Sequence, residues 1–164
     1  MRAEGAVKVG AAVLLVAALA LGIYILMPRG SSGRNAAEAL TRTYVAELTE
    51  ALKTLSPSAF SDAVGEDQQQ RVLNQITLLW NQGLYLDSQR ISAEVKTYDP
   101  GGTDSPQKLQ IREKWRTVQR SRDTGKAEGE VTTFDQLVEY TIAPEDGGLR
   151  VVDVKVLKEY KGRE

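Results

Sequence analysis

The chain has 164 residues, with 21 basic and 22 acidic side chains and a formal net charge of −1. It contains no cysteine and no histidine, so disulfides, thiolate metal sites and Ser–His or Cys–His nucleophile pairs are excluded. The balanced charge gives no electrostatic signature of nucleic-acid binding. We therefore expect no nucleic-acid partner, no metal and no cofactor.

The N-terminal part of the chain is dominated by an uncharged apolar stretch between Lys8 and Arg29. Its 20 residues, 9–28, would span roughly 30 Å as a helix, the thickness of the hydrocarbon core of a bilayer. The alternative is a cleaved signal peptide, because residues 18–20 have the small-x-small form of a cleavage site. The apolar run continues to Met27, beyond that site, and this favours an uncleaved anchor.

These features predict a single-pass protein of the inner cell membrane whose C-terminal domain lies outside the cytoplasm. The lipid bilayer would be a partner through residues 9–28. The predicted order is a short head at 1–8, a transmembrane signal-anchor at 9–28, a linker at 29–34 and an α+β cone domain at 35–160.

Three helical segments are predicted after the linker. Apolar residues recur at three- and four-residue steps from Ala37 to Leu55 and predict a helix over 35–55. A short helical turn is expected after Pro57. A third helix is expected at 66–82, with Gly83 just past its C-terminus.

After Gly83 the hydrophobic period changes from 3.6 to 2, which predicts four strands separated by polar loops. In the first, Ile91, Ala93 and Val95 are expected to face inward. Residues 149–152 break the alternation of the last strand and predict a β-bulge. Because strands follow strands without a helix between them, the sheet should be antiparallel. The predicted fold is α+β: an N-terminal transmembrane helix, then three helices packed on a curved four-stranded antiparallel sheet.

The segments "LQIREKWRTVQ" and "FDQLVEYTIAPEDGGLRVVDVKVL" resemble the nuclear-transport-factor-2-like, or cystatin-like cone, superfamily. The resemblance covers residues 36–158. It is nearest to membrane-anchored members such as the intermembrane-space domain of the chloroplast and cyanobacterial division protein. It implies a domain used for binding and assembly. Some relatives are isomerases or dehydratases with acid–base residues deep in the cone.

The second predicted strand carries basic side chains at its even positions. They predict a binding face for a protein partner or a second copy of the chain, or for anionic headgroups. The alternative is a soluble face that guards against aggregation, neutralised by Glu94 and Glu139 on adjacent strands. The candidate binding residues are Lys108, Arg112, Lys114 and Arg116.

Glu113 has the inward parity of the same strand, between Ile111 and Trp115. One interpretation is a general acid or base in a pocket. The alternative is a structural carboxylate bonded to Tyr140, Arg90 or a backbone amide. The candidate pocket residues are Glu113, Trp115, Trp80 and Tyr140.

Together these observations predict a membrane-anchored, extracytoplasmic protein-interaction and assembly module that is not an enzyme. The alternative function is a small-ligand-binding protein, or a cone enzyme of the isomerase or dehydratase type that uses Glu113.

Overall fold

In the part of the chain that the structure describes, two α-helices precede a four-stranded antiparallel sheet. The computed structural model describes residues 31–102 and 105–160. Neighbouring strands are antiparallel, and the sheet order follows the chain, β1-β2-β3-β4. The elements are α1 (Ser31–Thr54), a 3₁₀ turn (Pro57–Ala59), α2 (Glu66–Gln82), β1 (Leu84–Asp99), β2 (Gln107–Ser121), β3 (Thr132–Glu145) and β4 (Gly148–Glu159).

The prediction of three helices is wrong, because the segment after α1 forms only a three-residue 3₁₀ turn. Pro57 opens that turn, and the Ser56 hydroxyl accepts a hydrogen bond from the Ser58 N–H. Phe60 then returns to extended backbone and ends it. Helix α1 begins at Ser31, so residues 31–34 of the predicted linker are helical.

The transmembrane part of the predicted fold is corrected as well. Within residues 31–102 and 105–160, no helix is both long and apolar enough to cross a membrane. Helix α1 has 24 residues but is amphipathic, with exposed Arg42, Glu50 and Lys53 along it. The finding contradicts the predicted transmembrane signal-anchor and inner-membrane location, and it gives no support to the predicted bilayer contact; none of the three is retained. The segment 9–28 itself lies outside the described residues.

Glycines at both ends of α2 position this helix on the sheet. At its start, the Gly65 N–H donates to the Val151 carbonyl, and the Val151 N–H donates to the Ala63 carbonyl. A Cβ on Gly65 would lie 3.1 Å from the Val151 oxygen, so a side chain there would crowd the β4 backbone. At its end, Gly83 has a φ of 70° and its N–H bonds to the carbonyls of the last turn. This left-handed residue directs the chain straight into β1.

The two helices cover one face of the sheet and form two apolar clusters with it. In the first cluster, α1 packs through Tyr44 and Val45 on the middle of the sheet. In the second, Ala51 and Leu52 of α1 meet α2 and the start of β1. The fully or nearly fully buried apolar residues of the sheet are Leu109, Ile111, Val138, Tyr140, Ile142 and Val151.

Bulges in the two outer strands alter the predicted facing of their residues. The β1–β2 register shifts between Arg90 and Ser92, which leaves Ile91 exposed instead of inward. The expected bulge in β4 is present: the register against β3 shifts so that Val152 has no partner residue there. Val151 is therefore the fully buried residue at this level of the sheet, and Val152 is only partly buried.

Candidate functional site

An open groove lies between α1 and the helix-facing side of the sheet, with a volume of about 280 Å³. Apolar side chains of α1, among them Val45, Leu48 and Leu52, form one wall. The opposite wall comes from β2 and β3 and includes Trp115. Phe134 also lines the groove and is 42% exposed, so the groove opens to solvent beside an aromatic ring.

Glu113 lies on the floor of this groove and is 1% exposed. Its Oε1 accepts hydrogen bonds from Arg90 Nη1 and from the Tyr140 hydroxyl, each at 3.0 Å. Its Oε2 accepts one from Trp115 Nε1 at 2.9 Å. Three donors from three side chains therefore satisfy the buried carboxylate from within the domain.

The phenols beside this carboxylate stay protonated at neutral pH. Burial, with the nearby Glu113 carboxylate adding to it, raises the pKa of Tyr140 well above 10.0. Burial also raises the pKa of Tyr44 to about 12. The two rings meet edge to face with centroids 6.1 Å apart. Tyr140 is thus a hydrogen-bond donor held in a rigid aromatic pair, which fixes the position of Glu113.

The predicted pocket set is divided by the structure. Glu113, Trp115 and Tyr140 lie together in the groove, whereas Trp80 is on α2, 55% exposed, and does not line it. The Arg122 guanidinium stacks over the Trp80 ring at 4.1 Å. Sequence reasoning did not assign Phe134 to the pocket, although it faces the same side as Val138 and Tyr140.

The predicted basic face lies on the side of the sheet away from the helices, where acidic residues of β3 pair with most of it. Arg112 binds Asp135 through two hydrogen bonds of 2.9 and 2.8 Å. Lys108 contacts Glu139 at 3.1 Å, and Lys114 lies 3.8 Å from Asp135. Within the described residues, Arg116 forms no ion pair.

The electrostatics of this face follow from those pairs. The hydrogen bond from Arg112 lowers the pKa of Asp135 below 3.8, and bonds from Gln110 and Lys108 lower that of Glu139 below 4.5. Glu139 acts as the predicted neutralising partner, while Glu94 pairs with Lys96 at 2.6 Å. The basic face therefore alternates positive side chains of β2 with negative side chains of β3, and Arg116 lies at one end of it. In the part of the chain that the structure describes, no group of three or more acidic residues could hold a metal ion.

The fold is thus an α+β meander with helices on one face and an open groove beneath α1. No protein-family model and no curated protein matches the chain. Among solved structures, it is similar to the intermembrane space region of the chloroplast protein ARC6, with a TM-score of 0.64 and 13% identity. The match covers 79% of this chain and 98% of that one. The predicted structural resemblance to that domain is confirmed; membership of the nuclear-transport-factor-2-like superfamily stays a prediction.

Proposed function

We propose that residues 36–160 form a protein-interaction and assembly module that holds an apolar segment of a partner protein in the groove under α1. The module acts by binding and not by catalysis. One observation carries the proposal: the groove exposes Phe134 at its opening, while the polar group on its floor, Glu113, is bonded by the domain itself. The likeness in fold to a region of ARC6 is consistent with it.

The size and openness of the groove favour a polypeptide over a small molecule. Pockets that enclose drug-sized ligands have volumes of roughly 300–1,000 Å³ and bury most of the ligand. This groove has about 280 Å³ and is open at Phe134. It can accept one or two apolar side chains of a longer segment that continues along the surface.

The neighbouring strand offers such a segment further contacts. Within the described residues, β4 beyond Val151 has β3 as its one strand neighbour, so its outer backbone edge is unpaired there. Val156 and Leu157 on this stretch are exposed. Glu159, near the end of β4, also lines the groove. An extended partner segment could therefore pair with β4 and place alternate side chains in the groove.

The alternative of a ligand-binding protein or an enzyme that uses Glu113 has less support. A general acid or base must reach a substrate proton at hydrogen-bond distance. Both oxygens of Glu113 already accept bonds from Arg90, Tyr140 and Trp115. The basic face also remains a prediction as a binding surface, and the ion pairs of three of its four residues reduce the charge available to a partner.

The test is site-specific photo-crosslinking in the native cells, using the full chain. One variant carries the crosslinking residue at Gln136 in the groove, and the control carries it at Thr133 on the opposite face of the same strand. We expect a protein adduct from position 136 that Phe134→Gln abolishes. The matched control Leu78→Gln, at an exposed apolar residue of α2, should leave it unchanged.

Two outcomes would contradict the proposal. Adducts only from position 133 would place the partner on the outer face. An adduct from position 136 that survives Phe134→Gln would show that the groove does not hold the partner. Adducts of the chain with itself at position 136 would identify the partner segment as part of a second copy.

A further inference from the structure

A second pocket, with a partly polar lining, lies under the N-terminal half of α1, against β1. Its volume is about 90 Å³, enough to admit a group of the size of a carboxylate. Helix α1 contributes Glu38, Thr41 and Arg42, and β1 contributes Arg90. The polar part of the lining thus combines two guanidinium groups and a hydroxyl with one carboxylate, and the apolar residues Ala93, Val95 and Ile111 complete it.

Thr41 is the unusual member of this lining. It is 0% exposed, yet its Oγ1 has no hydrogen-bond partner within the described residues. A buried hydroxyl without a partner is destabilising, so such groups are rare in native proteins. The other four threonines of the two helices each donate to the carbonyl four residues earlier, at 2.7–3.2 Å: Thr43, Thr49, Thr54 and Thr77.

The cations of the pocket also have donors to spare. A guanidinium carries five N–H groups. In the part of the chain that is described, Arg90 uses one nitrogen, Nη1, for Glu113. Arg42 is exposed and forms no ion pair there. The Thr41 hydroxyl therefore shares this pocket with two guanidinium groups that have N–H donors in reserve, and a ligand with two acceptor oxygens would satisfy both kinds of group.

The geometry points to a binding site for a carboxylate group in this pocket. One oxygen accepts from Thr41 and the other from Arg90, with Arg42 closing the exposed side as a further donor. Glu38 belongs to the same lining, so two positive charges stand against one negative charge. The carboxylate comes either from a small free acid or from an acidic side chain of another protein.

The test uses NMR on the ¹⁵N-labelled full chain at constant ionic strength. Acetate probes the free acid, and a blocked Gly-Asp-Gly peptide probes the side chain. Chloride is the reference anion. We expect saturable shifts at Thr41, Arg42 and Arg90 with one of the two probes. Thr41→Val should weaken that binding about five-fold or more, and Thr49→Val, whose hydroxyl is already bonded to Val45, should not.

Saturation by acetate alone identifies a free acid, and saturation by the peptide alone identifies a partner side chain. Arg42→Gln provides a second variant at an exposed position, so the test does not depend on the folding of the Thr41 variant. The inference is overturned if neither probe saturates, if chloride gives the same shifts, or if neither Thr41→Val nor Arg42→Gln weakens binding. None of these results bears on the groove, which lies under the C-terminal half of α1 and whose lining includes neither Thr41 nor Arg42.

Discussion

The hydrogen-bond cluster around Glu113 makes a quantitative prediction about stability. Replacing Glu113 with leucine leaves the Tyr140 hydroxyl and the Trp115 indole N–H without their acceptor, and Arg90 without its counter-ion. Removing one partner of a buried ion pair typically costs about 3–5 kcal/mol of unfolding free energy. The Arg90 side chain is 20% exposed, so water partly solvates it, and we expect a loss of about 3 kcal/mol, at the lower end of that range.

Further variants divide this loss of unfolding free energy among the individual partners of Glu113. Tyr140→Phe removes one hydrogen bond and leaves Glu113 with two, so it should cost about 1.5 kcal/mol. Arg90→Met combined with Glu113→Leu removes both charges. The double variant should therefore be more stable than the sum of the single effects by about 1–3 kcal/mol.

Urea unfolding followed by far-ultraviolet circular dichroism measures these differences. Tryptophan fluorescence is unsuitable because Trp115 belongs to the cluster. A Glu113→Leu variant within about 0.5 kcal/mol of the wild type, the usual range for surface changes, would refute the structural role. So would single effects of Glu113→Leu and Arg90→Met that simply add. Preserved stability together with lost ligand binding would instead support the pocket-residue interpretation.

Three further predictions concern pH and backbone conformation. Because Arg112 lowers the pKa of Asp135, this pair contributes stability above pH 3.8 that is lost as the pH falls through the lowered pKa. Asp135→Asn should therefore reduce the loss of unfolding free energy at acid pH. An unchanged loss at acid pH would contradict the pairing. Because the pKa of Tyr44 is raised from 10.0 to about 12, stability is complete below pH 10.0 and falls as the pH rises toward 12. Tyr44→Phe should lessen that fall, measured by circular dichroism alongside phenolate absorbance, and an equal fall would count against the burial. Gly83→Ala places a side chain at a φ of 70° and should cost about 1–2 kcal/mol in urea unfolding, whereas Gly102→Ala, where φ is not positive, should be close to neutral.

The second strand shows what can be read from alternation alone. The β2–β3 register runs without a shift from Gln107 to Thr117, so the period of two correctly places Glu113 inward and Arg112 outward. The same reasoning fails at Ile91. The β1 bulge inserts this residue as an extra one, so the inward-facing positions are even-numbered before it and odd-numbered after it as far as Val95. A bulge depends on how two strands fit together and leaves a weak signal within one strand.

The partners of the basic face and the environment of Trp80 depend on tertiary structure. Asp135 meets Arg112 only because a ten-residue connection, 122–131, sets the register of β3 against β2. Trp80 lies at the edge of the apolar side of α2, where its exposure depends on what packs beside it. Arg122, the first residue after β2, packs there. The second of the three predicted helical segments forms only a 3₁₀ turn for a local reason, since Pro57 and Ser56 stabilise a single tight turn.

The exchange of backbone bonds between Val151 and the segment Ala63–Gly65 has a consequence for the order of folding. All strand pairs of the sheet join neighbours in sequence, so each hairpin closes a short loop at small entropic cost. The Val151 bonds, together with the bond from Arg71 to Asp153, instead join positions more than 80 residues apart. We expect these long-range bonds to be the last native contacts to form and the first to break. Their loss would release α2 from β4 while the strands of the hairpins stay paired.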